Sequence, residues 1–224
     1  MRVPFASSFL FADGRATTAN SLSAGPEPRF EEGGLTWVCP SLGIDARLTA
    51  RDRGVESRLH DGVLWRCMMP SGDAIVQLPD RTIRGRGYGE LLEITMAPWR
   101  LPIRELYWGH ATCGVTSLVW IRWNGAHPLQ HCWRNGVAVA TTEVEDDRVL
   151  LADGMRLEMS ERMVLREERL AETLKPLRAL AAIGARALND AVERKWRSRG
   201  ALFDGDRRID DGWVTHERVE FAAT

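Results

Sequence analysis

Residues 137–166 read VAVATTEVEDDRVLLADGMRLEMSERMVLR. Three strand-like stretches follow one another here, at 137–145, 148–152 and 155–166. Met155, Leu157 and Met159 alternate with polar residues, the period-two pattern of a half-buried strand. Asn135-Gly136 precedes the segment and Asp153-Gly154 lies within it. Both pairs tolerate the positive φ that tight hairpin turns demand.

The same grammar extends in both directions. Asp13-Gly14, Gly33-Gly34, Asp61-Gly62, Asn124-Gly125, Asp204-Gly205 and Asp211-Gly212 punctuate the chain. Between such turns, residues 63–69, 87–96, 117–123 and 213–221 read as strands. Many short strands between glycine-rich turns predict an all-β, mainly antiparallel architecture, a barrel or a sandwich. One stretch departs from it. Over 166–196 the residues Leu177, Leu180, Ala181, Gly184, Ala187, Leu188, Ala191 and Val192 recur at helical spacing. Pro176 suits a first helical turn, so one helix packed on the sheet is expected there. Neither a repeat nor a linker divides the chain, and a single domain over 1–224 is expected, with a closing strand at 213–221.

Composition narrows the function classes. The 224 residues are 44% hydrophobic and 27% charged, ordinary for a globular chain long enough to bury a core. Thirty-one acidic residues balance 30 basic ones, so no global field favours nucleic acid, and none is expected as a partner. Only Lys175 and Lys195 are lysine. Residues 1–12 lack the basic start of a cleaved signal, and no apolar run reaches membrane-helix length. Cys39, Cys67, Cys113 and Cys132 are widely spaced, which predicts reduced, buried thiols and a cytoplasmic setting. His127 and His131 on a strand would lie ~13 Å apart, too far to share a metal ion, and no metal or other cofactor is expected. Nine tryptophans against two tyrosines and six phenylalanines are the unusual number.

Most of the chemistry-bearing residues fall in 84–123, which holds Tyr88, Glu90, Glu93, Trp99, Trp108, His110, Trp120 and Trp123. Alternation puts Tyr88, Glu90, Leu92 and Ile94 on one strand face, Trp108 and His110 on another, and Trp120 and Arg122 on a third. A carboxyl among large apolar neighbours resists ionisation and can serve as a proton donor. Indole faces stabilise a developing cation. Glu90 could equally pair with Arg86, Arg100 or Arg122, Glu93 could face solvent, and the tryptophans could be core.

This block resembles the lipocalin-like (calycin) superfamily of carotenoid hydratases, tocopherol cyclases and AttH-like proteins. The matching residues are Gly85-Arg86-Gly87-Tyr88-Gly89-Glu90, Trp108-Gly109, Trp120-Ile121-Arg122-Trp123 and the terminal stretch from Gly212 to Glu220. Trp65 keeps the tryptophan of the hydratase His-x-Trp, without its histidine, and about fifteen extra residues separate Glu90 from Trp108. The resemblance implies a lipocalin-like fold and a cofactor-independent acid that protonates an alkene. Water then captures the cation in a hydratase, and an internal oxygen captures it in a cyclase. Carried over, Glu90 is the acid, Tyr88 relays the proton or orients water, and His110 is a reserve base. Trp65, Trp99, Trp108, Trp120 and Trp123 would line a site for an apolar, isoprenoid or polyketide-like substrate. Transient contact with a membrane surface would give such a substrate access. A non-catalytic carrier of a hydrophobic ligand and a purely structural domain are the alternative readings.

Overall fold

A computed structural model describes residues 6–12, 14–21, 27–97, 100–173 and 190–221. The chain starts with a hairpin of β1 (Ala6–Ala12) and β2 (Arg15–Ser21). A first sheet follows, built from β3 (Arg29–Glu31), β4 (Gly34–Cys39), β5 (Ile44–Ala50), β6 (Val55–His60), β7 (Val63–Gln77) and β8 (Thr82–Ile94). The long β7 organises it. Its first half pairs with β6 and its second with β5, while β8 pairs along the opposite edge from Val63 to Gln77. The β7–β8 register shifts between Cys67 and Gly72, around Pro70, a residue with no N–H to give to a ladder.

The remaining strands are β9 (Ile103–Cys113), β10 (Thr116–Gly125), β11 (Leu129–Arg134), β12 (Val137–Val139), β13 (Thr141–Val144), β14 (Arg148–Leu151), β15 (Met155–Arg169), β16 (Val192–Asp204) and β17 (Arg207–Glu220). They form one antiparallel sheet in the order β12-β11-β10-β9-β17-β16-β15-β14-β13. Its two ends, β12 and β13, are consecutive in the chain with only Ala140 between them. That connection forces the sheet to roll until its edges meet. The amide of Gln130 on β11 reaches the Thr141 carbonyl at 3.1 Å across this seam. The result is a nearly closed barrel.

Two clusters occupy its two faces. Leu118, Trp120, Val149, Leu157, Leu202 and Val214 come from five strands of the one rolled sheet, so they fill its concave interior. Val119, Ile121 and Trp133 point the other way and pack against Trp65 and Cys67 of β7. β9 and β10 are therefore buried on both faces, which is why Leu118 to Ile121 form an unbroken apolar run. All four cysteines are buried and free.

The helix expected over 166–196 is a correction. β15 continues through Arg169, a single helical turn spans Leu170–Thr173, and residues 192–196 are strand. Residues 174–189, which hold the periodic positions from Leu177 to Leu188, lie outside the described residues, while Ala191 is not helical and Val192 opens β16. The strand at 192–196 buries Glu193 between cations as well as the indole of Trp196, so hydrophobic periodicity is a poor guide to it. Among the described residues no helix is long and apolar enough to cross a membrane.

Candidate active site between the two sheets

The barrel interior holds the cluster around Leu118 and Trp120, and the cavity that concerns Glu90 lies outside it, between β7–β8 and the outer wall of β9, β10 and β17. Its volume is about 260 Å³. Its lining is aliphatic and aromatic, including Leu59, Leu92, Leu106, Ile121 and the indoles of Trp65, Trp108 and Trp123. Two ionisable side chains lie on that wall, Glu90 from β8 and Glu217 from β17.

Glu90 reaches the cavity because strand alternation sends Glu90, Leu92 and Ile94 inward and Glu93 outward, where it pairs with Arg66 at 2.8 Å. The carboxylate of Glu90 gathers three donors on a single oxygen. Trp65 Nε1 and the Tyr88 hydroxyl each donate to Oε2 at 2.6 Å, and Trp108 Nε1 donates at 3.2 Å. All three donors fall on Oε2 and none of them on Oε1. Two of the three arginines that could have neutralised it are engaged elsewhere: Arg86 pairs with Asp73 and Arg122 with Glu145, each at 2.8 Å. Glu90 is more open than the strand pattern predicts. It is an exposed residue, and its neighbour Leu92 is 51% exposed, because β8 pairs only with β7.

The Tyr88 ring stacks on His110 with centroids 4.5 Å apart and meets Trp108 edge-on at 5.4 Å. Burial and the neighbouring Glu90 charge push the Tyr88 hydroxyl well above its ordinary value, so it donates as a neutral phenol. Burial, with a smaller contribution from Lys195, lowers His110 to about 4. Its imidazole is therefore neutral near pH 7 and a weak base, a poorer fit to the reserve-base role than to the stack on Tyr88. Its Nδ1 has no hydrogen-bond partner among the described residues.

Of the other expected site residues, Trp65, Trp108 and Trp123 do line the cavity. Trp123 also donates its indole N–H to the His127 carbonyl at 2.6 Å. Trp120 does not reach it. It belongs to the barrel interior, 1% exposed, on the opposite face of β10. Trp99 lies outside the described residues.

Hydrophobic patterning missed the second carboxyl. Glu217 stands opposite Trp108 in the β17–β9 register. Its side chain is 17% exposed and lies 2.6 Å from the Lys195 ammonium of β16. Lys195 also approaches Glu193 at 3.5 Å and sits 5.8 Å from the centroid of the Trp108 ring. Glu193 in turn pairs with Arg166 at 3.2 Å. Burial, helped by Glu193 and Glu90 and opposed by Lys195, raises Glu217 above the usual carboxylate range. For Lys195, burial alone would lower the ammonium, but Glu217 and Glu193 outweigh it and raise it. One signal was present in the sequence: Lys195 is one of only two lysines in an arginine-rich chain.

No family model and no curated protein matches the sequence. Solved structures do match in shape. CghA superposes with a TM-score of 0.57 at 10% identity, covering 95% of this chain and 78% of that one. CghA with Sch210972 superposes at 0.53, again at 10% identity and with the same coverage. Kievitone hydratase from Nectria haematococca superposes at 0.54 with 9% identity, covering 98% of this chain and 79% of that one. The chain therefore shares the fold of CghA and of kievitone hydratase, the lipocalin-like fold that its tyrosine–glutamate and tryptophan–glycine motifs resemble.

Proposed function

We propose that the protein is a cofactor-independent hydratase or cyclase. It adds water or an internal oxygen across a C=C bond of an apolar small molecule, isoprenoid or polyketide-like, held between the two sheets. The observation that carries this reading is the cavity wall, whose described residues are apolar or aromatic except for the carboxyls of Glu90 and Glu217. Alkene addition needs little more: a dry aromatic lining for the cation and a carboxyl for the proton. Tyr88, Trp65 and Trp108 fix the orientation of Glu90 and so the direction of transfer. The four buried thiols suit a cytoplasmic setting, and transient contact with a membrane surface would deliver an apolar substrate.

The test is incubation with kievitone and a panel of prenylated and polyene alkenes, followed by mass spectrometry. A hydratase yields a product one water heavier, and a cyclase yields an isomer of unchanged mass. Glu90→Gln keeps the shape and removes the carboxyl, so turnover should fall by about 10²-fold or more. Full turnover in that variant overturns the role of Glu90. A second reading, a carrier of a hydrophobic ligand, draws support from the three donors that already occupy Glu90 Oε2. It predicts quenching of Trp65 and Trp108 fluorescence by apolar ligands and no product on long incubation.

A further inference from the structure

Two carboxyls on one apolar wall raise the question of which holds the proton. Glu90 receives three donors on Oε2 and stands at an open strand edge. Glu217 is enclosed. Lys195 faces it from β16 at 2.6 Å, Glu193 lies beyond that ammonium, Glu90 approaches from β8, and Trp108 covers it from β9. Arg166 of β15 completes the group through Glu193. Arg166 is itself shared between Glu193 and Glu168, the latter at 3.4 Å, so around Glu217 carboxyls outnumber the two cations Lys195 and Arg166. An excess of carboxyls in a partly buried cluster favours a proton on an enclosed member such as Glu217. Glu193 does not line the cavity, so Glu217 is the carboxyl of this cluster that a ligand can meet.

We infer that Glu217 delivers the proton to the alkene, that Glu90 takes one from the attacking oxygen, and that Lys195 is the residue that positions Glu217. The inference rests on the addition chemistry proposed above and deepens it. In the first step the Glu217 O–H bond breaks and its proton joins one alkene carbon through the π pair. The carboxylate left behind is met by the Lys195 ammonium. The cationic carbon then bonds to a lone pair of water, or of a substrate hydroxyl, and that oxygen loses a proton to Glu90 Oε1. Solvent returns the proton from Glu90 to Glu217, so the enzyme ends as it began and the net reaction is addition of O–H across C=C. Trp108, whose indole N–H holds Glu90 while Lys195 flanks its ring, lies between the two carboxyls and can face the cation.

The experiment is a carboxyl-carbon NMR titration of protein labelled with ¹³C at the glutamate side-chain carboxyls. Burial raises the affinity of Glu217 for its proton, so one glutamate resonance should titrate above the rest. It should vanish in Glu217→Gln, persist in Glu90→Gln, and move further up in Lys195→Met, which removes the opposing cation. A resonance that survives Glu217→Gln, or is lost in Glu90→Gln, overturns the assignment. Should Glu217→Gln fail to fold, Lys195→Met decides it, and an unmoved resonance refutes the inference. With a turned-over substrate, Glu217→Gln should lose about 10²-fold or more in kcat, Glu217→Asp should recover part of it, and Lys195→Met should shift the pH profile. Turnover lost in Glu90→Gln but intact in Glu217→Gln overturns this assignment and leaves the addition chemistry standing. Wild-type protein that converts no alkene overturns the addition chemistry itself.

Discussion

Gly109 offers the sharpest test of how the barrel holds the site in place. It follows Trp108 on β9, so its missing side chain would point into the barrel while Trp108 points at Glu90. A methyl group built there lands 2.6 Å from Trp120 Cε2 and closer still to Cζ2, with His216 Cβ at 2.9 Å from across β17. Ordinary carbon contact needs about 3.5–4 Å, so Gly109→Ala requires a shift of about 1 Å. Trp120 is fully buried and has nowhere to go. Overpacking of this kind costs about 1–3 kcal/mol, and a rigid indole clamped on both sides belongs at the upper end. Urea unfolding followed by circular dichroism should show about 3 kcal/mol lost in Gly109→Ala. Trp120→Leu alone should also destabilise, by opening a cavity. The double variant should be more stable than the sum of the two predicts, with a coupling of at least about 1 kcal/mol. A loss below about 1 kcal/mol, or strict additivity, would refute the idea that Gly109 exists to seat Trp120.

Two further outcomes follow from the buried polar groups. His110 and His216 are each lowered to about 4 from an ordinary 6.5, chiefly by burial. Below pH 6.5 the unfolded chain binds protons that the folded chain refuses until pH 4, so stability falls with pH across that window. The loss is up to about 3 kcal/mol for each imidazole. Denaturant titrations from pH 7 to 4 should show a shallower decline in His110→Phe than in wild type, and an unchanged decline would exclude His110 as a contributor. At the β11–β12 turn Asn135 holds φ 49° and its Oδ1 accepts the Ser117 amide at 2.7 Å. Asn135→Gly keeps that backbone and loses the bond, costing about 1 kcal/mol, whereas Asn135→Ala adds left-handed strain and should cost about 2 kcal/mol by the same measurement.

The strands were legible where one face meets the core and the other meets water. Met155, Leu157 and Met159 announced β15, and the turn residues Asn135, Gly136 and Gly154 take the positive φ their chemistry suggests. Glu90, Tyr88, Trp65 and Trp108 were legible as a group because each sits at a strand position whose alternation points the same way. Trp120 was not separable from them by pattern, since β10 is buried on both faces and its two tryptophans serve different cores. Lys195 and Glu217 were invisible for a different reason. They are buried by pairing across neighbouring strands, and cross-strand partners leave no fixed spacing in the sequence. The same pairing hid the start of β16, whose inward positions include a glutamate.

The rolled sheet also decides where the molecule can breathe. Its seam falls at β12 and β13, the two outermost strands of nine, and those three- and four-residue strands are held on one side only. Trp108 and Glu217 ride on β9 and β17, adjacent strands deep within the order with partners on both flanks. Thermal fraying that unzips the wall from its free margins must cross β11 and β10, or β14, β15 and β16, before it disturbs either residue. The fold thus spends its looseness on the far side of the cylinder and keeps its stiffest staves beneath the reacting groups.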